Sequence, residues 1–209
     1  MNELVLAVSR EALDVGTTSG IFPIDLNSID SEAYALLPRH IADNKSDNSV
    51  ALGKLFPQIL GYVQLVNEQG EILSYARKGK EKGLHGLRSI GVGGHVSHEE
   101  LVTTAIYHLD EPTQLPKLTE LIQLGLRREL LEEVGIDIGT YMEANQLLVS
   151  DSNVTSQVHV GLPMQLNVVE SDIILEESEF LDARWISVEE LKATVDLYEP
   201  WSQLIIQHM

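Results

Sequence analysis

The most regular part of the hydrophobic pattern begins at Gln58. Ile59–Val66 is largely apolar, Asn67–Gly70 carries turn residues, and Glu71–Arg77 alternates apolar with polar. Two such runs around a short turn predict a β-hairpin. Gly79–Gly86 is a basic loop, and Leu87–Val96 reads as a third strand that ends in a glycine pair. Glu99–Leu109 is helical in pattern, with Ser97 as N-cap and Glu100 in the capping-box position. Asp110–Pro116 (D-E-P-T-Q-L-P) stops it. The next helix covers Glu120–Val134, capped by Thr119, with Leu124, Leu130, Leu131 and Val134 on its buried arc. Arg127 falls inside that arc, where the pattern gives it no role beyond an exposed helix end.

Further strands are expected at Asn145–Ser150, Val158–Val169 and Leu181–Ile186, with Ser150–Ser156 as a polar turn. Ser187 caps a helix over Val188–Thr194, with Glu190 completing the box, and Tyr198–Gln207 is a last helix with Pro200 in its first turn. Ahead of Gln58, Asn2–Val8 reads as a strand, Gly16–Pro23 is broken by glycine and proline, Ser31–Leu37 is a short helical candidate capped by Asp30 or Ser31, and Asp43–Asn48 is a polar loop. Residues 1–57 are therefore expected as an extension packed on a main domain of residues 58–209. Nothing in the extension suggests chemistry by itself. The order of strands, helix, strands and helix predicts an α/β fold, a mixed sheet between helices.

Composition narrows the function. With 209 residues, 44% hydrophobic and 22% charged, the chain is long enough for a sizeable core and has the balance of a soluble globular protein. It has no cysteine, which excludes disulfides, thiolate zinc sites and a cysteine nucleophile. No apolar run is long enough to span a membrane, and Met1–Ala7 has no signal-peptide character, so a cytoplasmic location is expected. A net charge of −18 disfavours general binding to nucleic acid or to anionic membranes. Five of the 14 Lys and Arg residues, Arg77, Lys78, Lys80, Lys82 and Arg88, crowd together before the glycine pair. That cluster is either a solvated hairpin loop or a funnel that steers a phosphorylated substrate.

The chemistry is concentrated in Arg128–Ile136, R-E-L-L-E-E-V-G-I. Glu129, Glu132 and Glu133, at spacings of three and four, fall on one helix face. Three crowded carboxylates repel one another, and a divalent cation removes that cost. All-oxygen ligands point to Mg²⁺ or Mn²⁺. A solvated acidic face is the bland alternative. Gly125 lies one turn before Glu129, where a small residue leaves room for metal or substrate. Upstream, Ile90–Val96 reads I-G-V-G-G-H-V, and its glycines allow close backbone approach to a metal or phosphate. Of the histidines, His95 and His98 near this loop are read as polar loop residues, and Trp185 and Trp201 as packing residues.

Here the chain resembles the Nudix hydrolases, whose box is G-x5-E-x7-R-E-U-x-E-E-x-G-U, with U a bulky apolar residue. Glu120 to Ile136 matches every fixed position of the second half, and Gly94 and Glu100 match the first half. An insertion of about 20 residues, at 101–119, separates the halves. The isolated Glu of the box is therefore either Glu100 or Glu120, and Glu120 is favoured because it begins the carboxylate helix. The stretches L-H-G-L-R-S-I-G-V-G-G-H-V and Y-E-P-W-S-Q-L-I-I resemble the phage- and bacterial-type "predicted phosphoesterase" members.

The resemblance implies an α/β/α sandwich and metal-dependent cleavage of a nucleoside diphosphate derivative by water attack on phosphorus. It implies Glu129, Glu132 and Glu133 as metal ligands, the Gly94 carbonyl as a further ligand, Glu120 as an accessory one, and Arg128 as the residue that orients Glu129. The general base is a box Glu or a later-loop Glu, for which Glu176, Glu177 and Glu179 are candidates. A homodimer would fit the family. The other class of function is a nucleotide sensor of the same fold that binds without turnover. The insertion is expected to loop out and leave Gly94 beside the carboxylate helix.

Overall fold

The computed structural model describes residues 3–43, 49–77, 86–107, 116–139, 142–176 and 180–209. Lys78, Lys80, Lys82, Glu177 and Glu179 lie outside them. The strands, in chain order, are β1 (Leu4–Val8), β2 (Gly20–Pro23), β3 (Tyr34–Pro38), β4 (Gln58–Val66), β5 (Ile72–Arg77), β6 (Arg88–Ser89), β7 (Gln146–Val149), β8 (His159–Asn167) and β9 (Phe180–Ile186). The helices are α1 (Arg39–Ala42), α2 (Ser49–Leu55), α3 (His98–Tyr107), α4 (Leu118–Val134), α5 (Val154–Gln157), α6 (Val188–Ala193) and α7 (Pro200–His208). Among the described residues no helix is long and apolar enough to cross a membrane.

One mixed sheet runs β2-β7-β8-β4-β1-β3, and β5 leaves β4 to pair with β6 and β9. β4 and β8 are parallel over their whole lengths, Gln58 opposite His159 through Val66 opposite Asn167. The other strand pairs are antiparallel. Alternation along β4 sends its side chains to two cores. Ile59, Val63 and Leu65 join Leu121, Ile122, Leu126 and Leu130 of α4. Tyr62 and Val66 join Leu191 of α6 and Trp201, Ile205 and Ile206 of α7. Helices thus cover both faces, the expected α/β/α sandwich.

The structure departs from the sequence reading in several places, among them β2 within the broken Gly16–Pro23 stretch, α5 beginning within the Ser150–Ser156 turn, and Lys117 rather than Thr119 as the N-cap of α4. Residues 1–57 do not merely pack on the domain. Their strands continue its sheet, β1 pairing with β3 and β4, and β2 with β7. Ser31–Leu37 is helical only as a 3-10 turn at Ser31–Ala33, because Tyr34–Pro38 pairs residue for residue with β1. Of Leu87–Val96 only Arg88–Ser89 is a regular strand, and single bridges (Val92 to Val63, His95 to Leu60) carry the glycine loop along β4. On α4 the buried row is Ile122, Leu126, Leu130 and Val134, spaced by four, while Leu131 is 51% exposed. Arg127 also points outward and forms a two-bond ion pair with Asp137 at 2.5 and 2.8 Å.

Candidate active site

The glycine loop and α4 meet so closely that a Cβ on either facing glycine would press on a side chain of the other element. A Cβ on Gly94 would stand 2.2 Å from the Glu129 carboxylate carbon. One turn earlier, a Cβ on Gly125 would meet Val96 at 3.0 Å. Gly125 therefore makes room for the loop backbone rather than for metal or substrate. The helix ends at Gly135, whose positive φ of 72° suits glycine, and the N–H groups of Gly135 and Ile136 both return to the Leu130 carbonyl.

Arg128 ties the loop to the helix. Its Nε donates to Glu100 Oε1 at 2.6 Å, NH2 to the His95 carbonyl at 2.9 Å, and NH1 to Glu132 Oε2 at 3.2 Å, with Glu129 Oε1 3.0 Å from NH1. Glu100 is nearly inaccessible, and its Oε2 also accepts from the Ser97 N–H at 2.6 Å and the Ser97 hydroxyl at 2.7 Å. The capping box at the start of α3 and the anchor for Arg128 are thus the same carboxylate. Burial alone would raise the Glu100 pKa, but the hydrogen bonds from Arg128 and Ser97 outweigh it and hold it below the ordinary value. Glu129 goes the other way. Burial raises its pKa, and the nearby Arg128 offsets only part of the penalty.

Glu120 is not brought to this cluster. It sits in the first turn of α4, nine residues before Glu129 and so about 13 Å of helix rise away. Its charge is felt instead at Tyr34, whose hydroxyl donates to the Pro116 carbonyl. Of the two candidates for the isolated Glu, Glu100 is the one that pairs with Arg128.

A cleft of about 370 Å³ opens beside the cluster. Gly91, Gly93, Gly94 and His95 form one wall with Glu129 and Glu133. The aromatic rings of Tyr62, Tyr75, Phe180 and Trp201 are part of its lining, and Arg39, Arg77 and His159 add polar groups to it. Tyr62 and Trp201 meet edge to face at 5.5 Å. The Tyr62 hydroxyl donates to the buried Glu199 carboxylate, which also caps α7 through Trp201 N–H and Ser202 N–H. Burial pushes Tyr75 up to about 12, and its hydroxyl donates to the Gly91 carbonyl at 2.5 Å. Burial, then His159 and Arg39, push His95 down to about 3.

Glu129 and Glu133 face this cleft, whereas Glu132 is largely exposed and leans on Arg128. Among the described residues, the three potential ligands whose atoms come within 4.8 Å of one another are Asp43, His95 and His159, not the three glutamates. Glu176 is exposed, but its segment is docked on the end of α4: Ile174 N–H donates to the Val134 carbonyl and Glu176 N–H to the Glu133 carbonyl at 2.9 Å. Of the basic cluster, Arg77 lines the cleft. Arg88 is drawn into the fold instead. It is buried, and its guanidinium is held by Ser74 Oγ and O and by Asp182 Oδ2 and O at 2.6–3.0 Å. Arg39, His159 and Glu199 carried no local signal, because only the tertiary fold brings them to the cleft, and the same holds for Asp43 beside His95 and His159.

A family model described as the NUDIX domain matches residues 57–208. No curated protein sequence matches the chain significantly. Among solved structures, Tm1382, a candidate Nudix hydrolase, is 22% identical, superposes with a TM-score of 0.70, and the match covers 99% of this chain and 97% of that one. The MutT protein of Methanosarcina mazei Go1 is 19% identical, with a TM-score of 0.47 and coverage of 72% and 90%. The NUDIX domain of Shewanella oneidensis NrtR, solved with ADP ribose, is 12% identical, with a TM-score of 0.47 and coverage of 72% and 84%.

Proposed function

The chain belongs to the Nudix family, and from that premise we propose that it hydrolyses the pyrophosphate linkage of a nucleoside diphosphate derivative with the help of Mg²⁺ or Mn²⁺. The observation that carries the reading is the contact of Gly94 with the Glu129 carboxylate, locked by Arg128 bridging Glu100, the His95 carbonyl and Glu132. This supports a site in which box glycine and box glutamates act together despite the insertion between them.

The donor set fits a hard divalent ion. Glu129, Glu132, Glu133 and the Gly94 carbonyl offer only oxygen, and burial makes an uncompensated Glu129 anion unfavourable. When bound, such an ion neutralises phosphate charge and activates water. Arg128 fixes the rotamer of Glu129 and screens it from Glu132. Arg77, in the cleft lining, attracts the phosphates into a protein whose net charge is −18. The aromatic residues of the cleft lining take the uncharged part of the substrate and exclude water. The proton of the attacking water goes to Glu133, which lines the cleft, or to Glu176, whose backbone N–H is bonded to the Glu133 carbonyl.

The test is a panel of nucleoside triphosphates, nucleotide sugars, ADP-ribose, NADH, coenzyme A and dinucleoside polyphosphates, with Mg²⁺ and separately Mn²⁺, and products identified by mass. Cleavage at a pyrophosphate bond that is lost in Glu129→Gln is expected. Metal and nucleotide binding with no cleavage across the panel would overturn the hydrolase reading in favour of a sensor.

A further inference from the structure

The glycine loop, β8 and the N-terminal region converge on a second group of ligand atoms beside the cleft. β4 organises it. Gln58 lies opposite His159 across the parallel β4–β8 pair, and Leu60 bridges to His95. Asp43, just after α1, is drawn in by Gln58, whose Nε2 donates to Asp43 Oδ1 at 3.0 Å. His95 Nε2 and His159 Nε2 then face one another at 3.4 Å, their rings inclined by 69°. Two imidazole nitrogens on a tetrahedral Zn²⁺, each about 2.0–2.1 Å from the ion, lie about 3.3–3.4 Å apart. The potential ligand atoms of Asp43, His95 and His159 all fall within 4.8 Å of one another.

We infer that Asp43, His95 and His159 form a binding site for a borderline divalent transition-metal ion such as Zn²⁺, distinct from the carboxylate set on α4.

Two features support ligation beyond proximity. His159 Nδ1 is 2.7 Å from the Thr155 carbonyl, which only accepts, so Nδ1 carries the proton and Nε2 presents its lone pair to the cluster. The carboxylate is oriented in the same way, by the Gln58 amide. The other end of that amide, Oε1, is buried with no hydrogen-bond partner, an orphaned acceptor beside the cluster that a bound cation or its water would satisfy. Two nitrogens and one oxygen favour a borderline ion over Mg²⁺, which prefers oxygen alone. Because His95 and His159 line the same cleft as Glu129 and Glu133, a bound ion would border the place where substrate would sit.

Arg39 opposes the cation, with NH2 3.5 Å from His95 Nδ1 and Nε 3.6 Å from Asp43 Oδ2, but its NH1 is drawn away by both oxygens of Glu3 at 2.9 and 2.8 Å. The competing arrangement is a metal-free chain of hydrogen bonds from Arg39 through His95 and His159 to the Thr155 carbonyl.

The experiment is titration of chelator-treated full-length protein with Zn²⁺ by calorimetry in excess Mg²⁺, repeated with Co²⁺ by visible absorption. One Zn²⁺ per chain is expected in wild type and in Glu129→Gln, with affinity at least about tenfold weaker in His159→Gln and in Asp43→Asn. X-ray absorption at the zinc edge of wild type, which needs no variant to fold, is expected to show histidine scattering. Absence of a Zn²⁺ that resists Mg²⁺, loss of it in Glu129→Gln, unchanged affinity in His159→Gln, or a spectrum without histidine would each overturn the assignment. None of these readouts depends on turnover, so their failure leaves the hydrolase reading standing.

Discussion

Replacing Glu100 with Gln separates the two candidates for the isolated Glu of the box. The carboxylate takes three hydrogen bonds: two on Oε2, from the Ser97 N–H and hydroxyl, and one on Oε1, from Arg128 Nε. An amide keeps the first two by placing its oxygen toward Ser97. It then presents an N–H₂ to Arg128, donor against donor. Removing one partner of a buried ion pair costs about 3–5 kcal/mol, and one charged hydrogen bond about 1.5–3 kcal/mol. Arg128 is 28% exposed and keeps Glu129, Glu132 and the His95 carbonyl, which places the loss near the lower range, about 2–3 kcal/mol. For a chain of this size that lowers Tm by about 4–12 °C. Urea and thermal unfolding of Glu100→Gln and Glu120→Gln measure it, and Glu120→Gln is expected to lose under about 1 kcal/mol. The pH dependence follows from the lowered pKa of folded Glu100. Its contribution is complete above the ordinary carboxylate pKa of about 4.5 and is lost as pH falls through the lower folded value, so the gap between wild type and Glu100→Gln closes in acid. Equal losses in the two variants, or a gap that widens in acid, would refute the reasoning.

Three further substitutions probe the same region. In Gly94→Ala the new Cβ meets only the far end of Glu129, 2.2 Å away, so the carboxylate swings aside; turnover is expected to fall by about 10²-fold or more with Tm near wild type, read by product assay and calorimetry. In Gly91→Ala the Cβ meets the buried Tyr62 ring at 2.1 Å, which has no room to move, and a stability loss of about 1–3 kcal/mol or more is expected from urea melts. Arg88→Lys breaks the fork held by Ser74 and Asp182; about 2–4 kcal/mol of stability should be lost while the salt dependence of KM stays as in wild type, the opposite of what a phosphate-steering role requires.

What was legible in the sequence was what local pattern controls. The hairpin of β4 and β5, the Ser187 cap of α6 and the helix stop at Gly135 each follow from residues within a turn or two of one another. The box residues were legible because Arg128 to Glu133 lie on one helix. What failed was decided at a distance. Tyr34–Pro38 became a strand because β1 offered it a register, not because of its own propensity. Glu120 looked like a neighbour of Glu129 along the chain, whereas Glu100 reaches Arg128 across 28 positions of sequence. Arg39 and Asp43 come from a region whose sequence shows no chemistry, and they reach the cleft and its histidine pair only because that region completes the sheet.

The same geometry explains how the box tolerates an insertion. The box needs its loop and its helix at a fixed distance in space, not in sequence. The chain leaves the loop through the Ser97–Glu100 capping box and returns at Pro116, where the Tyr34 hydroxyl meets the carbonyl at 2.6 Å. Between those points Arg128 joins Glu100 to the helix, and Gly125 lets Val96 pack at van der Waals distance. Both ends of the inserted segment are therefore pinned by contacts that do not involve its middle. Once the ends are pinned, the closure cost rises only as the logarithm of loop length, about 0.6 kcal/mol for each doubling. The Arg128–Glu100 pair that spans the insertion therefore acts with the Arg128 bond to the His95 carbonyl, the Gly125–Val96 contact and the bridges from the loop to β4 in keeping the two halves of the box together.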